Sequence, residues 1–329
     1  MLTALDFTGW KHVLVELPES TAAIRTLSVV YGGGKDAASG AIWLDHFTTS
    51  NESVADATAP TVTVTVSGST VTASVTDDVD RAIPAESVVI TCDGTAVDKT
   101  WNESTGTLTA QLSLTDGKAH RVTVTAVDTS GNLARNSADV EPSAENANVF
   151  GDMEGHWAAR FASYLYQTGV TSGTGDPETG LVYAPDRSIT RGEFFALVAR
   201  WMKVDLSRYA DVELPFVDGA DIPSWALGEI KAMYSLGIVS GAGSDSGLRI
   251  NAGANISRAE VMAILGRTQP RGYATPALTA ADRDQVPAWA LEHVQSLVGQ
   301  GVVAGYGGKI NPNQSITRGE VAKLLYSML

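Results

Sequence analysis

Apolar residues recur at helical spacing in six stretches of the C-terminal half, and these stretches fall into three pairs. The first stretch of each pair begins at a tryptophan followed by alanine and ends at a glycine followed by a β-branched residue, which is typical of a helix stop. The predicted first helices are Trp157–Thr168, Trp225–Leu236 and Trp289–Gln300, with stop glycines at Gly169, Gly237 and Gly301. A second glycine follows in each copy, at Gly173, Gly241 and Gly305. Self-similarity at a nearly fixed period predicts three copies of one helical unit.

The second helix of each pair is predicted to begin at a capping box, in which a Thr or Ser oxygen and a Glu three positions later satisfy backbone N–H groups. Each box follows an isoleucine, and the three copies are Thr190-Arg191-Gly192-Glu193, Ser257-Arg258-Ala259-Glu260 and Thr317-Arg318-Gly319-Glu320. The box does not explain the arginine, because a cation at the first helical position opposes the helix dipole at a cost of about a few tenths of a kcal/mol. Free N–H groups beside a guanidinium form a ready carboxylate or phosphate site, so the pattern predicts an anion there.

Short alternating runs between residues 55 and 142 predict an all-β sandwich. The predicted strands are Thr61–Val66, Thr70–Thr76, Ser87–Thr91, Thr107–Leu114 and His120–Asp128. The ending from Val122 to Asn132 resembles bacterial immunoglobulin-like modules, in which a D-x-x-G-N turn precedes the last strand and which usually serve as spacers. Asp77, Asp78 and Asp80 are interpreted as a solvated acidic loop, because they lack a fixed calcium-ligand spacing. Cys92 is interpreted as a partly buried side chain, and residues 143–148 as a polar linker that lets the next unit pivot.

Three strand-like runs occupy residues 1–52, at His12–Leu17, Ile24–Tyr31 and Ala41–Phe47. Three strands bury little core, so we expect this segment to be the end of a larger sheet domain. The final run, Ile42-Trp43-Leu44-Asp45, resembles the last strand of a carbohydrate-binding jelly roll, in which the Asp often helps to hold a structural calcium. The resemblance implies that role for Asp45. Trp10 and Trp43 are interpreted as core residues, and a role as sugar-binding platforms is the alternative.

Composition limits the functional classes. Of the 329 residues, 44% are hydrophobic and 18% are charged, as in an ordinary folded protein, and the net charge of −14 argues against nucleic-acid binding. The one cysteine excludes an internal disulfide framework and a Cys-ligated zinc site. No apolar run is long enough to span a bilayer and no secretory signal opens the chain. We therefore expect no membrane insertion. If this protein works outside the cell, we expect the chain to be the C-terminal part of a longer protein.

The repeats resemble S-layer homology motifs, whose pattern is F-x-D, h-W-A, G-(I/V)-x-x-G and P-x-x-x-(I/V)-T-R-A-E. The resemblance covers residues 149–329, as repeats 149–205, 213–270 and 277–329. It implies a mainly helical, pseudo-threefold bundle, so the predicted fold class is multidomain: a partial jelly roll, an immunoglobulin-like sandwich and this bundle. It also implies a monomeric, non-catalytic anchor at the bacterial cell surface. The partner implied is a secondary cell-wall polysaccharide linked to peptidoglycan and commonly pyruvylated, with no cofactor and no metal.

The resemblance implies roles for matched residues in grooves between repeats. The arginines would bind the sugar carboxylate, the aspartates would bond sugar hydroxyls or orient the arginines, the glycines would offer backbone contacts, and the tryptophans would pack between repeats with one edge towards the sugar. These residues are Arg191, Arg258 and Arg318; Asp152, Asp218 and Asp282; Gly173, Gly241 and Gly305; and Trp157, Trp225 and Trp289.

Several alternatives stay open at the level of sequence. Repeat three lacks the aromatic residue before Asp282 and has a shorter loop to Arg318, so its groove is expected to be the weakest. Each arginine could instead brace the bundle by pairing with the aspartate of a neighbouring repeat. The chain shows no recognisable frame of catalytic residues, and its five histidines are scattered. A fragment of a surface glycosidase with its catalytic part upstream, or a self-assembling lattice protein, are the alternatives to an anchor.

Overall fold

The computed structural model describes residues 56, 58–176, 178, 180–270, 273 and 275–329. The first part of this range forms two four-stranded antiparallel sheets, with strand orders β1-β2-β6-β5 and β4-β3-β7-β8. The strands are β1 (Thr61–Ser67), β2 (Thr70–Thr76), β3 (Val88–Cys92), β4 (Thr95–Ala96), β5 (Lys99–Asn102), β6 (Thr107–Gln111), β7 (His120–Val127) and β8 (Leu133–Val140). The five strands predicted from the alternation are therefore confirmed. The immunoglobulin-like assignment stays a prediction.

Alternation of side chains explains the core of the sandwich. In β2, Val71, Ala73 and Val75 are buried while the intervening Thr and Ser residues face outward, as a strand with one buried face requires. The equivalent inward positions of β3, β6 and β7 complete one hydrophobic cluster, which includes Ile90 and Leu108. Residues 1–52, with their predicted strands, Asp45, Trp10 and Trp43, lie outside the described residues.

The second part of the described range holds six α-helices in three pairs. They are α1 (Ala159–Gln167), α2 (Arg191–Trp201), α3 (Ser224–Ser235), α4 (Arg258–Arg267), α5 (Ala288–Gly299) and α6 (Arg318–Ser327). All three capping boxes are confirmed: in the first, Glu193 N donates to Thr190 Oγ1 and Thr190 N donates to Glu193 Oε2. The stop glycines are confirmed by their positive φ of 78°, 69° and 71°. None of these described helices is long and apolar enough to span a membrane.

The helices of different repeats pair with one another and close a ring. The first helix of each repeat packs against the second helix of the preceding repeat, as α3 on α2, α5 on α4 and α1 on α6. The loops between the helices of repeats one and two carry short hairpins, β9 (Thr174–Asp176) with β10 (Gly180–Val182) and β11 (Ala242–Ser244) with β12 (Gly247–Arg249). Repeat three replaces the hairpin by a tighter turn in which Tyr306 and Lys309 exchange backbone hydrogen bonds. The shorter third loop is therefore confirmed.

The sandwich packs directly against the helical bundle. Arg160 of α1 forms ion pairs with Asp139 at 3.0 Å and Glu141 at 2.9 Å, and Arg135 of β8 donates to the carbonyl of Ser327 at 2.8 Å. The segment between the two parts is held as well, since Ser143 N donates to Gly117 O. These contacts would have to break if residues 143–148 act as a pivot, and that role stays a prediction.

Candidate ligand-binding grooves between the repeats

A ring of backbone hydrogen bonds lies where the three repeats meet. Ile189 N donates to Ile316 O, Ile256 N donates to Ile189 O, and Ile316 N donates to Ile256 O, at 3.1–3.2 Å. All three isoleucines are fully buried. The isoleucine before each capping box therefore has one function in all repeats, which is to form the axis of the ring.

The helix N-termini next to this ring have no free donors. In α2, the N–H of Arg191 donates to Ala254 O and the N–H of Gly192 donates to Ala252 O, both at 2.8 Å, while Glu193 N is taken by the capping threonine. The carbonyl groups come from the turn of the following repeat, and α4 and α6 repeat the arrangement. The sequence-based expectation of free N–H groups at these sites is therefore wrong, because each repeat fills the helix start of its predecessor.

Each arginine of the capping box reaches into the following repeat. Nε of Arg258 donates to Ile310 O at 2.9 Å and Nη1 pairs with Glu320 at 2.7 Å. Arg191 makes the same contacts to Ile250 O and Glu260, and Nε of Arg318 donates to Tyr183 O. The guanidinium groups thus connect repeat one to two, two to three and three back to one.

The pair at Arg318 differs from the other two. Its Nη1 lies 3.8 Å from Glu193, and that carboxylate is already held by Arg187, whose Nη2 approaches Glu193 Oε1 at 2.6 Å. Two guanidinium groups therefore share one carboxylate where repeat three meets repeat one. Within the described residues, Nη2 of Arg191 and Arg258 and both Nη atoms of Arg318 form no hydrogen bond to protein. These atoms are the donors that remain for an anion.

The predicted aspartates hold the turns that receive the arginines. Asp218 accepts from the N–H groups of Ile250 and Asn251 at 2.9 and 2.8 Å. Asp152 and Asp282 do the same in repeats one and three. Burial raises the pKa of Asp218, but its hydrogen bonds from Ile250 and Asn251 outweigh burial, so this pKa lies below its ordinary value.

The bracing alternative is therefore wrong about the partner of each arginine. The guanidinium pairs with the capping glutamate of the next repeat, and the aspartates take backbone N–H groups. The aspartate of the next repeat positions the arginine indirectly, by fixing the carbonyl that accepts its Nε. The ligand-binding roles of both residue types stay predictions.

The predicted glycines are required by the packing of the loop. Gly173 has φ of +66°, and a Cβ there would lie 2.6 Å from Cε1 of Phe150. Gly241 repeats this contact with Phe216, whereas a Cβ at Gly305 would lie 2.5 Å from Lys309 O. Repeat three lacks this aromatic residue, and the carbonyl of Lys309 lies close to Gly305 instead. Whether these glycines also contact a ligand stays a prediction.

The three tryptophans are the large exposed groups that recur in every repeat. Trp157, Trp225 and Trp289 are 53%, 51% and 53% exposed. Ala158, the neighbour of Trp157, lies against Gly319, the neighbour of Arg318, with 3.2 Å between its Cβ and a Cβ built on the glycine. Trp157 and Arg318 therefore flank a point at which α1 packs on α6, and we call such a junction between helices of different repeats a groove. The pairs α3–α2 and α5–α4 form the two related junctions.

A second polar cluster lies in the sandwich, where the fold brings together Cys92, Asp93 and His120. Asp93 binds Nδ1 of His120 at 2.7 Å and Asp116 binds Nε2 at 2.8 Å, so neither ring nitrogen is available as a base. Burial first, then Asp93 and Asp116, raises the pKa of the Cys92 thiol to about 11. A raised pKa favours the thiol over the thiolate, and the thiolate is the form that acts as nucleophile and metal ligand, so this environment disfavours both roles. Cys92 is half-buried, as predicted.

The geometry defines a class of protein: a closed ring of three helical repeats with a repeated aromatic and cationic groove. The family description "S-layer homology domain" matches residues 149–195, 215–262 and 281–322. Residues 149–322 of the chain therefore comprise three S-layer homology domains.

Several known proteins are similar to about half of this chain. An amylopullulanase of Thermoanaerobacterium thermosulfurigenes is 28% identical over 191 residues, which are 56% of this chain and 10% of that protein. S-layer protein EA1 of Bacillus anthracis is 27% identical over 188 residues, 56% of this chain and 20% of that protein. A cellulosome-anchoring protein of Acetivibrio thermocellus is 25% identical over 163 residues, 48% and 34% of the two chains. The chain thus spans between a tenth and about a third of the length of these relatives.

Proposed function

We propose that the three repeats form a non-catalytic anchor that holds the protein at the bacterial cell surface. Their partner is an acidic secondary cell-wall polysaccharide linked to peptidoglycan, and the acidic group is a pyruvyl ketal on an amino sugar. The observation that carries the proposal is the recurrence in all three repeats of a half-exposed tryptophan near the start of the first helix and of a largely buried arginine at the start of the second helix.

The exposed indoles suit a sugar ligand. About half of each tryptophan faces solvent, although aromatic surface is stabilised by burial, and the exposure recurs at the same place in three repeats. An indole offers a flat apolar face together with one N–H donor, which matches the apolar face and hydroxyl rim of a pyranose. Three such platforms on one rigid ring would bind a repeating polymer with avidity.

The arginines suit the acidic group of that ligand. Their side chains are 9–14% exposed, so a ligand would reach the edge of each guanidinium that carries the remaining Nη donors. A carboxylate is the natural partner of such an edge. The net charge of −14 repels polyanions in general, so recognition would depend on these local groups.

The relatives support an anchor rather than an enzyme in this region. An amylopullulanase, an S-layer protein and a cellulosome-anchoring protein share little by name, yet each is similar to about half of this chain. A module common to such different proteins fits attachment better than catalysis. The names of these relatives suggest two alternatives for the whole protein, which are a surface glycosidase and an S-layer lattice protein. Glycoside turnover would support the first, and concentration-dependent sheets in the electron microscope would support the second.

Co-sedimentation with cell-wall sacculi tests the anchor. The full chain should pellet with native sacculi and remain soluble with sacculi stripped of polysaccharide by hydrofluoric acid. Replacing Trp157, Trp225 and Trp289 together by Ala should weaken binding at least about tenfold, since buried aromatic anchors commonly contribute 2 kcal/mol or more. Val89→Ala, which shortens an exposed apolar side chain of the sandwich, is the matched control and should bind normally. Equal binding by the folded tryptophan variant and the wild type would refute the proposal.

A further inference from the structure

Three carboxylates from separate segments meet at one end of the sandwich. Asp56 precedes β1, Asp77 follows β2, and Asp128 lies in the turn between β7 and β8. One oxygen of each lies within 4.8 Å of the others, and Asp128 is only 2% exposed. The sequence-based interpretation of a solvated acidic loop is therefore wrong for Asp77, although it holds for the exposed Asp78.

Hydrogen bonds orient each carboxylate: backbone N–H groups hold one oxygen of Asp56 and one of Asp77, and Asn132 holds both oxygens of Asp128. Asp77 Oδ1 accepts from the N–H groups of Val79 and Asp80 at 2.9 and 2.8 Å, and Asp56 Oδ1 accepts from Thr58 N at 2.9 Å. Asp128 accepts from the backbone N and from Nδ2 of Asn132, both at 2.7 Å. The geometry of the loops therefore fixes where the remaining oxygens can point.

Two of those remaining oxygens have no partner. Oδ2 of Asp56 and Oδ2 of Asp77 are fully buried and accept no hydrogen bond from any described residue. Among the described residues, no Lys, Arg or His forms an ion pair with this cluster. A buried carboxylate oxygen without a donor is costly, and three like charges in one pocket repel one another. The two unpartnered atoms thus favour a cation-binding site over a hydrogen-bonded network.

We infer that Asp56, Asp77 and Asp128 bind one calcium ion, which ties the entry of the chain into the sandwich to the loop after β2 and to the β7–β8 turn. The donors are all oxygen, which hard divalent cations prefer and which zinc in structural sites does not. Calcium–oxygen distances of about 2.3–2.6 Å allow two ligands of one ion to lie at most about 4.6–5.2 Å apart, and these oxygens lie within 4.8 Å of one another.

One further observation agrees with a cation at this place. Asp80 connects two of the same segments, because its carboxylate accepts from N and Oγ1 of Thr129 at 2.7 and 2.8 Å. The ion would make rigid the junction at which residues 1–55 join the sandwich.

Calorimetric titration of the chelator-treated full chain with CaCl2, and in parallel with MgCl2, tests the inference. One calcium ion should bind per chain, and the melting temperature should rise by roughly 5 °C or more at about 100 times Kd. Asp77→Asn keeps the oxygen that Val79 and Asp80 bond and removes the charge, so it should abolish both responses. Asp78→Asn is the adjacent control and should retain them. In chelator, Asp77→Asn should melt at or above the temperature of the wild type, because a repelling charge is gone.

Three results would overturn the inference. They are the absence of calcium heat and of a melting shift in the wild type, a calcium response that persists in Asp77→Asn, and equal stabilisation by magnesium. If Asp77→Asn fails to fold, Asp56→Asn provides the same comparison, because it preserves the hydrogen bond from Thr58.

Discussion

Replacement of Arg258 by Met tests whether the guanidinium groups hold the ring of repeats together. The variant keeps most of the aliphatic stem and removes the Nε bond to Ile310 O and the Nη1 pair with Glu320. Breaking a buried ion pair costs about 3–5 kcal/mol, and a hydrogen bond to a charged group contributes about 1.5–3 kcal/mol. The Glu320 side chain is 36% exposed, so water can solvate its carboxylate when Arg258 is gone, which reduces the loss of stability. We expect a loss of about 2–3 kcal/mol.

Denaturant unfolding of the full chain, followed by tryptophan fluorescence, measures this loss. Arg283→Met is the matched control, because Arg283 is largely exposed and approaches Asp284 only at 3.7 Å, so its loss should stay below about 0.5 kcal/mol. The double variant Arg258→Met/Glu320→Gln should recover about 1 kcal/mol, since no unpaired charge is left. A loss at Arg258 as small as that of the control would refute the bracing role.

The same reasoning ranks the three arginines. Arg318→Met should cost less than Arg258→Met or Arg191→Met, because Glu193 stays paired with Arg187 when Arg318 is lost. An equal loss at all three positions would contradict the role assigned to Arg187.

Three further predictions concern the loops and the sandwich. Gly173→Ala should destabilise the chain by about 1–3 kcal/mol, more than Gly169→Ala, where a Cβ meets open space. Ala184→Asn should stabilise it by about 1 kcal/mol, because φ is +56° there and Asn251 tolerates the same conformation in repeat two. Burial lowers the pKa of His120, but its two carboxylate partners outweigh burial and raise it, so its stabilising charge is present below pH 6.5 and is lost as pH rises through the raised value. His120→Gln should make the free energy of unfolding depend less on pH in this range.

Each of these predictions has a contradicting result in thermal unfolding. Equal losses at the two glycines would refute the clash with Phe150, and a lower melting temperature for Ala184→Asn would refute backbone strain. If stability falls equally in His120→Gln and in the wild type as pH rises above 6.5, the histidine does not cause the pH dependence.

Local sequence rules predict most helix boundaries within a repeat but few of the contacts between repeats. The capping boxes and stop glycines follow from short-range hydrogen bonding, so the sequence is sufficient to find them. The partner of Arg191 is Glu260 in the following repeat, and no spacing rule identifies it. One signal was available: a capping glutamate uses one oxygen for the cap, which leaves the other free for a cation.

The expectation of free N–H groups at the helix N-termini shows where such reasoning fails. An N-terminal helix donor is free only if no other part of the chain approaches it, and here the turn of the next repeat supplies the carbonyl groups. The acidic cluster of the sandwich was missed for a related reason. Asp56, Asp77 and Asp128 lie in three segments that only the sheet topology brings together.

Binding of the purified wall polysaccharide to the full chain is the most direct test of the anchor. Calorimetry would compare the intact polymer with the same polymer after its pyruvyl ketals are removed by mild acid, and would include the triple variant of Trp157, Trp225 and Trp289. The account predicts measurable binding of the intact polymer, a loss of at least about tenfold after removal of the carboxylates, and a comparable loss in the variant. Equal affinity for both polymers, or undiminished binding by the folded variant, would contradict it.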